Sequence, residues 1–386
     1  MRFLRSAWIM VLVTLGFLLT AELLARAFLW RPGPVIAAAP SAPAVVYGFS
    51  AGGYGDLQPN LRLVVPLYDI RPYYLQTNSA GLRNTEELNP DESVIRILAV
   101  GDSFTFGAYV HNQETWPSRL EDRLNVLLAP GAQVQVLNAG IPGYTLEDEI
   151  AYLRDKGLAL QPDVVIVGFY TNDIFDHYPA LRQRLSRAVI LAQAAATQTA
   201  SPLRQFLQDN VALYALFNQW RAGQQVEQAV EQVAPQVENF QQIYMDMTFL
   251  ETQRSEYQTY WQVYAGRFAE LVRLLQEHNI PLVLIAFPDV AQLGMPEVFG
   301  PIPQQFLAQL TSDAGIPYLD LLPVLRDGGD IEETYLMYYD ARRSFDPNAL
   351  EMTGRGYSGD GHPSAFGYLL AARALADFLL ANQLVP

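Results

Sequence analysis

The residues able to do chemistry gather in four short stretches: Gly101-Asp102-Ser103, Asn138-Ala139-Gly140, Thr171-Asn172-Asp173 and "SGDGHPS" at 358–364. Acyl transfer needs a hydroxyl nucleophile, a base for its proton, a group orienting the base, and donors for a developing oxyanion. Ser103 is the candidate nucleophile, His362 the base and Asp360 the orienting acid. Gly140 would offer a backbone N–H that no side chain blocks, and Asn172 a side-chain amide. Loss of one oxyanion donor typically lowers a rate by about 10²–10³. Each stretch alone reads as an ordinary strand end or helix cap, so their coincidence at one sheet edge carries the argument. The chain has four histidines. His362 lies in a constrained loop between Gly361 and Pro363, and His278 ends a helix as a surface or capping residue. His111 and His177 lie near the same edge, either touching substrate or, the reading preferred here, as spare polar residues.

Rival chemistries fail on spacing. "GDSFT" lacks the second glycine of the G-x-S-x-G elbow, and no Lys-Ser/Thr follows a glycine as a phosphate-cradling loop requires. There is no H-E-x-x-H, and the absence of cysteine removes disulfides, thiolate metal sites and a thiol nucleophile. No metal site is expected. A net charge of −15 over 386 residues, with no basic cluster, disfavours nucleic acid as a partner. Half the residues are hydrophobic and 17% charged, the composition of a globular chain long enough for one large domain or two smaller ones.

The elements that must position these residues alternate. "VIRILAV" (94–100), "VQVLNAG", "PDVVIVGFY" (162–170), "PLVLIAF" (281–287) and "IPYLDL" (316–321) read as strands. Trp116, Leu120, Leu124, Leu127 and Leu128 follow helical spacing. So does "TLEDEIAYLRDKGL", with Thr145 as N-cap. Further helices cover about 257–277 and 365–381. Strand and helix in alternation imply a parallel sheet with helices on both faces, and ligands then bind beyond the strands' carboxyl ends. The aromatic stripe Tyr257, Trp261, Tyr264 and Phe268 reads as core rather than as a sugar-stacking platform. The Gln- and Ala-rich stretch at about 178–255 is patterned as a helical insertion, either a lid or wall over the site or a peripheral elaboration. The stretch 325–358, with Tyr335, Tyr338, Tyr339, Arg342 and Arg343, reads as a long structureless loop forming a second rim.

At the N-terminus, Arg2 and Arg5 precede an apolar run whose extension to Trp30 spans about 36 Å as a helix, against about 30 Å of hydrocarbon. Glu22 and Arg26 can pair four residues apart. The expected organisation is a cytoplasmic N-terminus (1–6), a transmembrane signal anchor (7–30) and a Pro/Ala linker (31–46). An N-terminal extension (47–92) and the catalytic domain (93–386) follow. A cleaved signal peptide, cut after Ala25-Arg26-Ala27 or Ala37-Ala38-Ala39, is the alternative. Either way, the rest of the chain is expected outside the cytoplasm.

Four stretches in this order, "VGDSFTFG", "NAGIPGY", "YTND" and "DGHPSAFGY", resemble the blocks of the SGNH, or GDSL-type, hydrolases. Upstream, "TNSAGLR" (77–83) is similar to a segment of membrane-anchored bacterial members. The resemblance covers roughly 70–176 and 260–384. It implies a flavodoxin-like three-layer α/β/α sandwich with a central parallel sheet. It also implies a serine nucleophile, no cofactor, and oxyanion donors from the Ser103 N–H, the Gly140 N–H and the Asn172 side chain. Two positions depart from the family pattern. Phe104 replaces the name-giving leucine, read as a packing change of little consequence. The acid usually three residues before the histidine is Gly359 here, and Asp360 stands two before it, as in members acting on cell-surface polysaccharide O-acetylation. Asp340 and Asp346 are possible substitutes. The expected activity is a membrane-anchored esterase acting on small-molecule or glycan O-acyl esters. An O-acyltransferase using the same residues and a non-catalytic envelope scaffold are the alternatives.

Overall fold

The computed structural model describes residues 2–29, 47–49, 55–65, 73–128, 130–175, 207, 210–214, 217, 246–339 and 357–385. They belong to two units, one drawn from Met1–Val45 and Ala180–Glu238, the other from Val46–Pro179 and Asn239–Pro386.

The second unit is built on apolar runs too continuous for a half-solvated sheet. Strands β5 (Ile95–Gly101), β6 (Val134–Gly140), β7 (Val164–Phe169), β8 (Leu282–Ala286) and β9 (Tyr318–Asp320) pair in the order β6-β5-β7-β8-β9, all parallel. β6, β7 and β8 are buried throughout, as strands covered on both faces must be. Alternate residues feed two separate cores. Leu98, Val100, Val165, Val167 and Leu284 face α4 (Leu146–Asp155), α5 (Ser255–Glu277) and α7 (Ile302–Ala314) through Tyr152, Phe268 and Leu307. Ile97, Ala99, Val164, Ile166 and Val283 face α3 (Trp116–Leu127) and α10 (Ala365–Ala381) through Trp116, Leu120 and Leu375. This is the expected three-layer α/β/α arrangement, with the strand order of a flavodoxin-like sheet.

The predicted helices hold. Tyr257, Trp261, Tyr264 and Phe268 are all buried core on α5. Thr145 N-caps α4, with the Asp148 carboxylate accepting its backbone N–H at 3.0 Å. His278 C-caps α5, its Nδ1 2.8 Å from the Leu274 carbonyl oxygen.

The extension before β5 does more than precede the sheet. It forms antiparallel pairs β1 (Tyr47–Phe49) with β2 (Gly55–Leu57) and β3 (Arg62–Val65) with β4 (Tyr73–Gln76). Residues 83–89 then seal the open edge of β6. The Arg83 N–H donates to the Asn138 carbonyl, the Asn138 N–H to Asn84 Oδ1, and the Asn89 N–H to Gln135 Oε1, all at 2.9 Å. An edge strand left with bare N–H and C=O groups would invite foreign pairing.

The structureless loop expected at 325–358 is corrected. Leu322–Gly328 (α8) and Ile331–Thr334 (α9) are helical, and β10 (Tyr335–Tyr339) pairs antiparallel with β11 (Tyr357–Pro363). The glycines and proline of "SGDGHPS" argue against a strand, but a two-stranded ribbon with a register shift at Tyr335/Leu336 accommodates them. Arg342, Arg343, Asp340 and Asp346 lie outside the described residues, as do the 31–46 linker, His177 and most of the 178–255 insertion with its expected lid or wall role.

In the first unit, residues Arg2–Leu24 (α1) are helical, followed by a π-helical turn at Ala25–Leu29. Glu22 pairs with Arg26 at 2.8 Å, as the spacing predicts, and also accepts the N–H groups of Ala212 and Leu213. Among the described residues no helix is long and apolar enough to cross a membrane. The structure therefore gives the expected span at 7–30 no support.

Candidate active site

Ser103 sits where three strands reach a row of glycines. Gly140, Gly101 and Gly168 are direct partners across β6, β5 and β7. A Cβ on Gly101 or Gly168 would stand 2.2 or 2.3 Å from Thr105 Oγ1, and one on Gly140 would stand 2.1 Å from the Phe106 nitrogen. Those contacts are too short for any side chain. The glycines form a floor onto which the one-turn helix α2 (Ser103–Phe106) is pressed. Asp102 caps this helix, its Oδ1 accepting the Phe104 N–H at 2.8 Å, and Gly107 ends it in the left-handed conformation with φ +84°. Ser103 is thus held, half-buried, at the β5/β7 switch point, where ligands of open parallel sheets bind.

His362 reaches the serine from the end of β11. Its Nε2 lies 2.8 Å from Ser103 Oγ, within range for proton transfer. The Ser364 N–H donates to the Thr334 carbonyl at 2.9 Å, and the Ser364 hydroxyl caps α10 by accepting the Gly367 N–H at 3.1 Å. Tyr335 anchors the ribbon with its buried hydroxyl on the Pro288 carbonyl at 2.7 Å, and burial pushes its phenol well above the usual range. Asp360 pairs through its backbone register with Leu336, two residues before His362 on the same strand. The base is therefore carried by a strand rather than by the expected loop.

Asp102 is the feature missed by sequence reading. The side chain is fully buried, and desolvation pushes its carboxyl up to about 6. The Phe104 N–H, the His362 charge, the Asn172 amide and the Ser103 hydroxyl, 3.4 Å away, oppose that rise. Its place inside the Gly-Asp-Ser turn was a signal available beforehand, because a carboxylate capping a buried helix cannot reach bulk water.

Asn172 lies on the 3₁₀ turn Thr171–Phe175 after β7. Its amide serves Asp102, and its Nδ2 stands 3.5 Å from the Tyr144 carbonyl, too far for a strong hydrogen bond. The donor role expected of Gly140 does not fit. Its N–H donates to Asn138 Oδ1 at 3.0 Å, and its missing side chain makes room for Phe106. Gly143, three residues on and next to Tyr144, has φ +78° and open space around the position of a Cβ. His111 accepts the Tyr74 N–H on Nδ1 at 2.8 Å and stacks on the Tyr74 ring, which gives it a structural partner. Phe104 is a packing residue, as read from the sequence. Its buried ring stacks on Tyr170 at 3.9 Å and lies 4.8 Å from the His362 imidazole.

A serine hydroxyl and an imidazole joined by a short hydrogen bond at the carboxyl edge of a parallel sheet have the geometry of a serine-hydrolase type of site. The GDSL-like Lipase/Acylhydrolase family model matches residues 99–370, and the chain belongs to that family. An arylesterase of Vibrio mimicus is 31% identical over 98 residues, 25% of this chain and 48% of that protein. The chain thus matches about half of that relative's length. Among solved structures, Axe2, an acetylxylan esterase from Geobacillus stearothermophilus, is 14% identical over 74% of this chain and 94% of its own, with a TM-score of 0.38. A G-D-S-L family protein from Desulfitobacterium hafniense DCB-2 is 16% identical over 74% of this chain and 99% of its own, with a TM-score of 0.34. The family assignment rests on the sequence match, not on these distant likenesses.

Proposed function

We propose that this chain is a serine ester hydrolase acting on small acyl esters, O-acetyl groups on glycans among them. The observation that carries the reading is the 2.8 Å contact between Ser103 Oγ and His362 Nε2. Ser103 Oγ attacks the ester carbonyl while His362 takes its proton and passes it to the departing alcohol. Water, deprotonated in turn by His362, attacks the acyl-serine and releases the carboxylic acid. The Ser103 N–H, the Gly143 N–H and the Asn172 amide are the assigned oxyanion donors, Gly143 replacing Gly140 because its N–H lies in the loop beside Asn172. Asp360 is assigned as the acid that orients His362. The location outside the cytoplasm is argued from sequence alone, from Arg2 and Arg5 ahead of the apolar run.

Treating the full chain with a fluorophosphonate probe and mapping the adduct by peptide mass spectrometry tests the reading. An adduct on Ser103 that disappears in His362→Ala supports it, and an adduct on another serine overturns it. Replacing Asp360, Asp340 and Asp346 singly by Asn identifies the acid as the one whose loss slows labelling most. Product analysis with an acetylated xylo-oligosaccharide separates water from a sugar hydroxyl as acceptor.

A further inference from the structure

The imidazole of His362 packs against two rings that both come from the segment bearing Ser103. The Phe104 ring centroid is 4.8 Å away with planes 32° apart, and the Tyr109 ring is 5.2 Å away and edge-on at 88°. Phe104 has little freedom, because Tyr170 and Phe287 flank it at 3.9 and 5.5 Å. Tyr109 is held at an energetic disadvantage. Its φ of +67° lies in the left-handed region, uncommon for any non-glycine residue and worse for a bulky one. Such strain persists only where the surroundings over-determine the backbone.

Arg83 supplies that constraint. It is 2% exposed, and its guanidinium donates to the carbonyls of Phe106, Gly107 and Val110 at 2.5–2.6 Å, bracketing Tyr109 on both sides. It also donates to Asn112 Oδ1 at 3.3 Å and lies 4.2 Å over the Phe106 ring. Only a planar fork with several donors can tie three carbonyls of one turn. On the far side, Tyr73 of β4 packs edge-on against Tyr109 at 6.3 Å.

We propose that Phe104 and Tyr109 are positioning residues for the base, a two-ring clamp that fixes the His362 imidazole for proton transfer, and that Arg83 sets the clamp through Tyr109. The proposal rests on the esterase reading above. It also has a physical motive: the histidine stands on a two-stranded ribbon outside the main sheet. Small rotations there would carry Nε2 out of reach of Ser103. Misplacement by about 1 Å can lower a rate by about 10²-fold.

The test uses full-length Phe104→Leu, Tyr109→Leu, Tyr109→Phe and Arg83→Lys variants. Turnover is read with p-nitrophenyl acetate, and His362 modification by diethylpyrocarbonate is mapped by peptide mass spectrometry. Each leucine variant is expected to lower kcat about 10-fold with KM changed less than about 3-fold, and Tyr109→Phe to stay within about 2-fold of wild type. Diethylpyrocarbonate should modify His362 several-fold faster in the leucine variants, because a shielding ring is gone. Arg83→Lys is expected to lower kcat, and adding Tyr109→Leu to lower it no further, since both act through the same ring. Folded leucine variants with wild-type kcat and unchanged His362 modification would overturn the clamp. If wild type leaves p-nitrophenyl acetate intact while the variants still unshield His362, the clamp stands and the esterase reading fails.

Discussion

Ser103 and His362 meet at 2.8 Å but are held by very different scaffolds. Ser103 stands over the glycine row Gly140–Gly101–Gly168, where any added methyl would strike Thr105 or Phe106. His362 arrives on an antiparallel ribbon that shares no hydrogen-bonded strand with the sheet. Its anchors among the described residues include the Tyr335 hydroxyl on Pro288, the Ser364 N–H on Thr334, the Ser364 hydroxyl on the Glu333 carbonyl, and contact with the rings of Phe104 and Tyr109. Ser103 is thus positioned by close packing, which tolerates almost no change. His362 is positioned by discrete contacts that can be altered one at a time.

The strongest way to break the comparison acts on the pair itself. Ser103→Ala and His362→Ala should each lower turnover by about 10³-fold or more, and the double variant should be little worse, since the two act as one unit. Steady-state kinetics with p-nitrophenyl acetate check this, and thermal melts should stay near wild type for both. A fully additive double variant would mean that the contact is not used.

Next comes the floor. Gly140→Ala places a methyl 2.1 Å from the Phe106 nitrogen and should destabilise the chain by about 3 kcal/mol, since overpacking of a rigid site cannot relax cheaply. Gly143→Ala meets open space and keeps its backbone N–H, so it should lose only about 1 kcal/mol, through its positive φ. Chemical denaturation of the two variants side by side reads the contrast.

Asp102 gives a pH signature. Its carboxyl is raised in the fold from the ordinary 3.8 to about 6, so the native state holds a proton that the unfolded chain has already released in that interval. Its contribution is fully present below about pH 4 and is lost as pH rises through about 6. Asp102→Asn should remove this decline, on the order of 2–3 kcal/mol, and flatten stability between pH 4 and 6 relative to wild type. Melting curves across that range measure it. An unchanged slope would mean that the carboxyl is ionised throughout.

The smallest effect belongs to the ribbon. Tyr335→Phe deletes one buried hydrogen bond to Pro288 and should lower stability by about 1 kcal/mol. Because that bond anchors the ribbon bearing the base, kcat should fall more than KM rises. Equal effects on both would place the anchor's influence elsewhere.

Several parts of the fold were legible because their cause is local. The nearly all-apolar run of β7 reads as a strand buried on both faces. The spacing of Tyr257, Trp261, Tyr264 and Phe268 describes one face of one helix. Ser103, His362 and Asn172 stood out because their stretches coincide at one edge of one sheet and follow one another in the order of the family's blocks, not because any one of them is unusual alone. The described parts of the 325–358 stretch were misread because their Gly and Asp content opposes a strand, and partners 18 to 28 residues away supply the pairing. Gly140 was misassigned for a related reason. A glycine that frees an N–H and one that admits a neighbouring backbone look identical until the neighbour is in place.

By itself, then, the sequence determined the five strands of the parallel sheet and the helices α3, α4, α5 and α10, that a serine follows the first central strand, and which histidine can reach it. These follow from periodicity and residue type, properties of a segment and its immediate neighbours. Only the tertiary structure decided that three glycines line up as a floor, that Asp102 is sealed from water, and that Arg83 ties down Tyr109. It also decided that two rings pack against His362. Each of those depends on the register of parallel strands or on contacts between distant segments, and burial and close approach exist only once the chain has folded.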